Sequence, residues 1–200
     1  MKKSKDWTGS KVSAFKMMGA SNHCDKEREI NDFYATDPKS IDMLLQHETF
    51  SNNIWECACG QGHLSERLRQ YSYNVFATDI VNRGGVCDKI VDFLSFDEKE
   101  QFNGDIITNP PYKYCTEFIL KALSLIPKGN KVAMFLKIQT LEGQKRYDEI
   151  FSKYPPRTIY VFIKRIECAK NGIFINSSAV CYAWYVWEKG YKGDTIVKWI

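Results

Sequence analysis

Long apolar runs are absent from this 200-residue chain. The longest fall well short of the roughly 20 residues that cross a bilayer, so no membrane-spanning helix is expected. The basic amino terminus, MKKSKDWTGSKVSAFKMMGA, lacks the continuous apolar stretch of a signal peptide, and a cytoplasmic location is expected. Histidine is scarce, with three in the chain, and the seven cysteines are scattered at positions 24, 57, 59, 87, 115, 168 and 181. No two cysteines have C-x-x-C spacing and no histidine completes a zinc pattern with them, so no metal site is expected. Several cysteines, such as Cys57 and Cys181, sit in apolar runs, where a reduced thiol packs as a small hydrophobe. Internal repeats and low-complexity tracts are missing as well. What is left, 44% hydrophobic and 26% charged residues, is the composition of one globular domain with a sizeable core.

Charge is unevenly spread. Residues 1–30 carry seven Lys/Arg against four Asp/Glu, residues 31–127 eight against fourteen, and residues 128–200 thirteen against six. An acidic middle between basic ends suits a protein that holds a cationic small molecule centrally and meets a polyanion with its flanks.

Residues 1–30 show no strong periodicity and read as an amino-terminal arm, leaving 31–200 as one domain. Regular structure is expected from Asp37-Pro38, where Asp37 can cap a helix and Pro38 suits its first position. Strand-like runs follow at 53–58, 74–79, 105–109, 132–136, 158–163 and 179–187. Helical patterns lie between them, through Leu64, Leu68 and Tyr71, through Cys115 to Ile126, and from Gln139 to before Pro155-Pro156. Strands alternating with helices predict an α/β fold with a mostly parallel central sheet covered on both faces. The last two strands have little helix between them, which predicts an antiparallel carboxyl-terminal edge. In such sheets ligands sit beyond the carboxyl ends of the strands, so strand-ending residues are the ones to read.

The first long strand ends in Glu56-Cys57-Ala58-Cys59-Gly60-Gln61-Gly62 before a helix. Two glycines at a strand-to-helix turn let backbone N–H groups approach a ligand, although a tight turn alone would also use them. The next strand ends in Asp79 about 20 residues on, where a carboxylate can grip ribose hydroxyls, or simply cap the loop that begins with Ile80. Asp92-Phe93 ends a shorter piece, placing a carboxylate and a ring where an adenine could be met. Ser65 stands where a dinucleotide fingerprint would have its third glycine, which disfavours NAD and favours a mononucleoside-like cofactor.

The decisive run is Asp105-Ile-Ile-Thr-Asn109-Pro110-Pro111-Tyr112. Two prolines fix φ and remove two donors, leaving the Asn109 side-chain oxygen and backbone carbonyls as acceptors beside an aromatic ring. An amino group with two hydrogens to donate fits that array, with its lone pair aimed at an electrophilic methyl.

With these motifs the chain resembles the amino-methyltransferases that carry N-P-P-Y, and more closely the small phage and prophage DNA adenine methyltransferases. DFYATDP (Asp32 to Pro38), ECACGQGHLSERL, NPPY, LEGQKRY (Leu141 to Tyr147) and AVCYAWYVWEKGY carry the likeness. The resemblance implies a Rossmann-like methyltransferase fold and S-adenosylmethionine as cofactor. It implies Tyr34 and Thr36 beside the methionine moiety, Glu56 and the backbone at Gly60 and Gly62 at its charged end, Asp79 at the ribose, Asp92 and Phe93 at the adenine, and Cys57 and Ile80 as further cofactor contacts. Asn109 and Pro110, with Pro111 shaping the turn, would hold the target amino group, and Tyr112 would stack on a flipped-out base. Arg157, Lys164, Arg165, Lys170 and Asn171 cluster around KRIECAKNGIFINSS and are candidate nucleic-acid contacts. His63 reads as a helix-start residue and His47 as a helix-end one, so no catalytic histidine is assigned. The expected substrate is adenine in DNA, with adenine in RNA or a protein glutamine as alternatives. A non-catalytic binding module would have no use for the acceptor array.

Overall fold

The computed structural model describes residues 35–84, 86–166, 168–169 and 180–200. The arm 1–30 and the candidate residues Tyr34, Lys170 and Asn171 lie outside the described residues. The elements are β1 (Ala35–Thr36), α1 (Lys39–Leu45), β2 (Asn53–Glu56), α2 (His63–Gln70), β3 (Asn74–Asp79), β4 (Lys89–Ile90), β5 (Asp105–Thr108), α3 (Cys115–Leu125), β6 (Lys131–Lys137), α4 (Gln144–Arg146), β7 (Thr158–Val161), β8 (Cys168–Ala169), β9 (Tyr182–Glu188) and β10 (Ile196–Trp199).

Eight strands share one sheet in the order β10-β7-β9-β6-β5-β2-β3-β4. Its central strand β6, KVAMFLK, is apolar at five consecutive positions because both faces of the sheet are covered. Val132, Met134 and Leu136 join a core with Trp55, Ile106, Ile119 and Trp187 on one face. Ala133 and Phe135 join Ile41, Leu44, Ile54, Leu68, Tyr160 and Trp184 on the other. α3 closes the first face with Phe118, Ile119, Ala122 and Leu123, and α1 and α2 close the second. α1 is pinned through its first turn. Trp184 Nε1 donates to the Ser40 carbonyl at 2.9 Å, and Arg67 of α2 clasps Asp42 through Nε at 2.6 Å and Nη2 at 2.9 Å.

The mostly parallel sheet with antiparallel carboxyl-terminal pairing is as the sequence predicts, but the placement differs. β9 runs antiparallel between β6 and β7, not at the rim. The rim belongs to β10, parallel to β7. Periodicity could not announce β10, because all four of its residues are exposed. The helix expected from Gln139 is instead a 3-10 turn over Ile138–Leu141, the short α4, and a π turn over Tyr147–Phe151. Gly143, at φ +120°, separates the first two. A small antiparallel ribbon, β1 with β8, pairs Thr36 with Cys168. It ties the segment before α1 to the segment after β7. No helix among the described residues is long and apolar enough to cross a membrane.

Candidate active site

β2 lies between β3 and β5, and the chain leaves β2 toward β3 on one side and returns to β5 on the other. Strand order reverses here, and a cavity of about 940 Å³ opens at the carboxyl ends of these strands. Thr36, Glu56, Cys57, Gly60, Asp79, Ile80, Asp92, Phe93, Asn109, Pro110, Pro111 and Tyr112 all line it. Residues as much as 76 positions apart thus line one cavity.

The glycine turn is built for tightness. Gly60 sits at φ +57° and Gly62 at φ +82°, backbone that glycine enters at little cost. Gly62 caps α2 and lies so close to Val86 that a Cβ would collide with that side chain. Gly62 is therefore a packing glycine rather than a cavity residue. The same β3–β4 loop brings Cys87 Sγ to 2.8 Å from Cys59 Sγ, both as free thiols.

Three carboxyl groups face the cavity, each differently held. Glu56 is 2% exposed and accepts the Ser65 hydroxyl. Burial pushes its pKa up to about 8, against the Ser65 hydrogen bond and with some help from the Asp79 charge. Asp79 is buried and accepts the Gly60 N–H through Oδ2 at 2.8 Å and the Val81 N–H through Oδ1 at 3.0 Å. It is the loop cap that the sequence offers as the plainer role, yet it still faces the cavity. Asp92 accepts the Leu94 N–H at 2.9 Å, capping the Phe93–Ser95 turn. Phe93 is mostly core, edge-on to Trp55 at 5.2 Å and tilted against Phe118 at 5.1 Å. Ile80, 58% exposed at the rim, is the apolar surface open to a ligand there.

The Asn-Pro-Pro-Tyr run, which follows β5, lines the same cavity. Asn109 Nδ2 donates to Thr36 Oγ1 at 2.7 Å, so the amide oxygen is the Asn109 atom suited to accept from a ligand. The Tyr112 ring stacks on Tyr182 at 5.9 Å, which stacks on Phe135 at 5.0 Å, anchoring the ring to the core. Lys137 Nζ lies 4.8 Å from the Tyr112 ring centre, a cation–π contact.

Lys137 is a residue that sequence reading missed, although it ends β6 and strand ends are where ligands bind. His63, Arg83, Lys113 and Tyr114 also line the cavity without having been assigned to it. Lys113, Tyr114 and Lys137 come from the segments around Asn109 and the end of β6, whereas His63 and Arg83 come from the segments that follow β2 and β3. Lys164 and Arg165 are exposed and follow β7, at the same end of the sheet as the cavity. Arg157 is not with them. It precedes β7 at the opposite end, paired with Glu188 at 2.8 Å and near Glu48 at 4.0 Å. No group of three or more possible metal ligands occurs among the described residues.

No protein-family model matches this chain, and no curated protein does. Solved structures do. A protein from Listeria monocytogenes described as a class I S-adenosylmethionine-dependent methyltransferase superposes with a TM-score of 0.51 at 11% identity, over 94% of this chain and 71% of that one. An S-adenosylmethionine-dependent O-methyltransferase from Thermotoga maritima gives 0.50 at 13% identity, over 90% and 72%. The type IIG restriction endonuclease BpuSI gives 0.53 at 14% identity, over 88% of this chain but 27% of that longer one. The fold is that of the class I methyltransferases. At these identities the likeness concerns architecture, and the chemistry has to be argued from the cavity.

Proposed function

We propose that this protein transfers a methyl group from S-adenosylmethionine to the exocyclic amino group of adenine in DNA. The observation that carries the reading is the meeting of Asn109-Pro110-Pro111-Tyr112 with Glu56, Asp79 and Asp92 across one cavity at the strand switch point. The donor set fits the cofactor's chemistry. A buried acid suits a cationic amino group, a turn-anchored carboxylate suits a ribose diol, and Asp92, a further carboxylate lining the same cavity, suits an adenine.

When bound, S-adenosylmethionine supplies a methyl already activated by a positively charged sulfur. What the chain must add is alignment. Asn109 Oδ1 and the Pro110 carbonyl accept the two amino hydrogens and so direct the nitrogen lone pair along the transfer path. The absence of N–H groups at Pro110 and Pro111 keeps donors out of that array. Tyr112, braced by Tyr182, offers a face for a base taken out of its stack. No general base is needed, since the amino proton becomes acidic only after nitrogen gains positive charge. Lys164 and Arg165 supply phosphate contacts at the mouth, a role for which Arg157 is misplaced.

The test is incubation with methyl-labelled cofactor and separate pools of unmethylated DNA, RNA and protein, followed by digestion of the labelled pool. N6-methyladenine in the DNA pool is expected. Label in RNA adenine or in protein glutamine alone would move the substrate while keeping the chemistry, and no transfer at all would reject it.

A further inference from the structure

The amide of Asn109 presents a problem the N-P-P-Y run does not solve by itself. A side-chain amide has two faces of opposite polarity, an acceptor oxygen and a donor NH2, and rotation by half a turn exchanges them. Only the oxygen can receive an amino hydrogen. The prolines fix the backbone after Asn109 but leave its side-chain torsions free.

We propose that Thr36 is a positioning residue for the methyl-transfer reaction: its hydroxyl oxygen holds Asn109 Nδ2 and thereby turns the Asn109 oxygen toward the incoming amino group. The bond is 2.7 Å long and joins residues 73 positions apart. Thr36 is 3% exposed and lines the same cavity. It stands on a firm base, because its strand pairs with Cys168 on one side and runs on through Asp37 into α1. The Asp37 carboxylate takes the Lys39 N–H at 2.9 Å, and α1 is bound to β9 through Trp184 and to α2 through Arg67. α2 is the helix that the glycine turn opens. One frame therefore fixes the turn on the cofactor side and the acceptor on the substrate side. A threonine hydroxyl that accepts from Asn109 also keeps its own proton to donate, so Thr36 can touch the cofactor while orienting the amide.

This inference rests on the proposed amino-methyltransferase reading, and the experiment separates the two. Thr36→Val removes the oxygen at nearly constant volume. Thr36→Ser restores it. With unmethylated plasmid DNA as acceptor and saturating S-adenosylmethionine, the valine variant should lose at least tenfold in kcat, while cofactor Kd by calorimetry changes less than threefold. The serine variant should recover most of the loss. Adding Thr36→Val to Asn109→Ala should change nothing further, because Thr36 acts through that amide. A readout independent of turnover is the Asn109 side-chain NH2 resonance pair, identified by its disappearance in Asn109→Asp. Its hydrogen exchange should be slowed in the parent and in Thr36→Ser, and fast in Thr36→Val. Equal exchange in all three, or a Thr36→Val defect that saturating cofactor abolishes, would overturn the positioning role. An Asn109→Ala variant as fast as the parent would instead overturn the function proposed for the site.

Discussion

Asp79 Oδ2 accepts the Gly60 backbone N–H at 2.8 Å, so the carboxylate that ends β3 also sets the turn that follows β2. A ligand gripped by this carboxylate is therefore placed relative to the turn without a separate adjustment. Asp79→Ala should weaken S-adenosylmethionine binding by about 1–3 kcal/mol, the scale for losing charge-assisted hydrogen bonds. Asp79→Asn keeps an oxygen for Gly60 and should retain more of the thermal stability while still losing affinity. Calorimetry on both variants decides, and unchanged affinity in Asp79→Ala would remove this residue from the ribose role.

Glu56 gives the site a pH signature. Its pKa of about 8 in the folded protein stands above the ordinary 4.5, so folding takes up a proton between these values. The stabilising contribution is whole below pH 4.5 and is lost as pH rises through 8. Glu56→Gln should flatten the decline of Tm between pH 6 and pH 9 in the ligand-free protein. In the parent, a cationic amino group beside Glu56 favours the carboxylate, so cofactor binding at pH 7 should release close to one proton. Calorimetry in buffers of different ionisation enthalpy counts it, and the glutamine variant should release none.

Gly62 makes the packing testable apart from the chemistry. A side chain there would adopt φ +82° and meet Val86. Gly62→Ala should cost about 1–3 kcal/mol from left-handed backbone alone, with more from the collision. Adding Val86→Ala takes away the Cγ1 collision but leaves a Cβ 2.9 Å away, so it should recover only part of the collision cost, whereas Val86→Gly should leave the backbone cost, which denaturant unfolding of the variants can separate.

The strands at the site were legible because burial on both faces writes a continuous apolar run, most plainly in β6, and Asp79, which ends β3, and Asn109, which follows β5, stand at the bounds of such strands. Arg157 was misread because nearness in sequence to a basic loop hides which end of a strand a residue occupies. Preceding β7 puts it at the opposite end of the sheet from the cavity, among Glu48 and Glu188. Lys137 carries no motif, and its meaning comes only from the Tyr112 ring that the fold brings beside it. Two-residue strands such as β1 and β8 are too short to show any period, so the ribbon that supports Thr36 had no sequence signal.

Binding of DNA should weaken steeply as salt rises, since neutralised phosphates release counterions. Lys164→Ala and Arg165→Ala should each lower the slope of log affinity against log salt by about 1, the loss of one phosphate contact. Arg157→Ala should leave the slope unchanged and instead lower stability, because its partners are Glu188 and Glu48. Fluorescence anisotropy over a salt series measures all three. A flat response in the parent protein would remove the polyanion from the reading and bring a protein substrate forward.

Asn109 and Tyr112 should fail in different ways. Asn109→Ala removes an acceptor that matters most as the nitrogen rehybridises, so turnover should fall sharply while cofactor affinity holds. Tyr112→Ala removes a stacking face worth roughly 1–3 kcal/mol per base, so capture of the extruded base should weaken. A mismatched target costs less to unstack and should regain part of the activity in Tyr112→Ala but none in Asn109→Ala. Tyr112→Phe should keep more than Tyr112→Ala, because the ring rests on Tyr182 and its face is what acts. Lys137 adds a control at the same ring. Its ammonium lies over the Tyr112 ring, where it competes with a base for that face. Lys137→Met should therefore ease stacking on a mismatched target while weakening overall DNA binding through the lost charge. Single-turnover methylation of paired and mismatched duplexes by the four variants resolves these effects. Parental rates in Asn109→Ala would reduce the Asn-Pro-Pro-Tyr run to a turn.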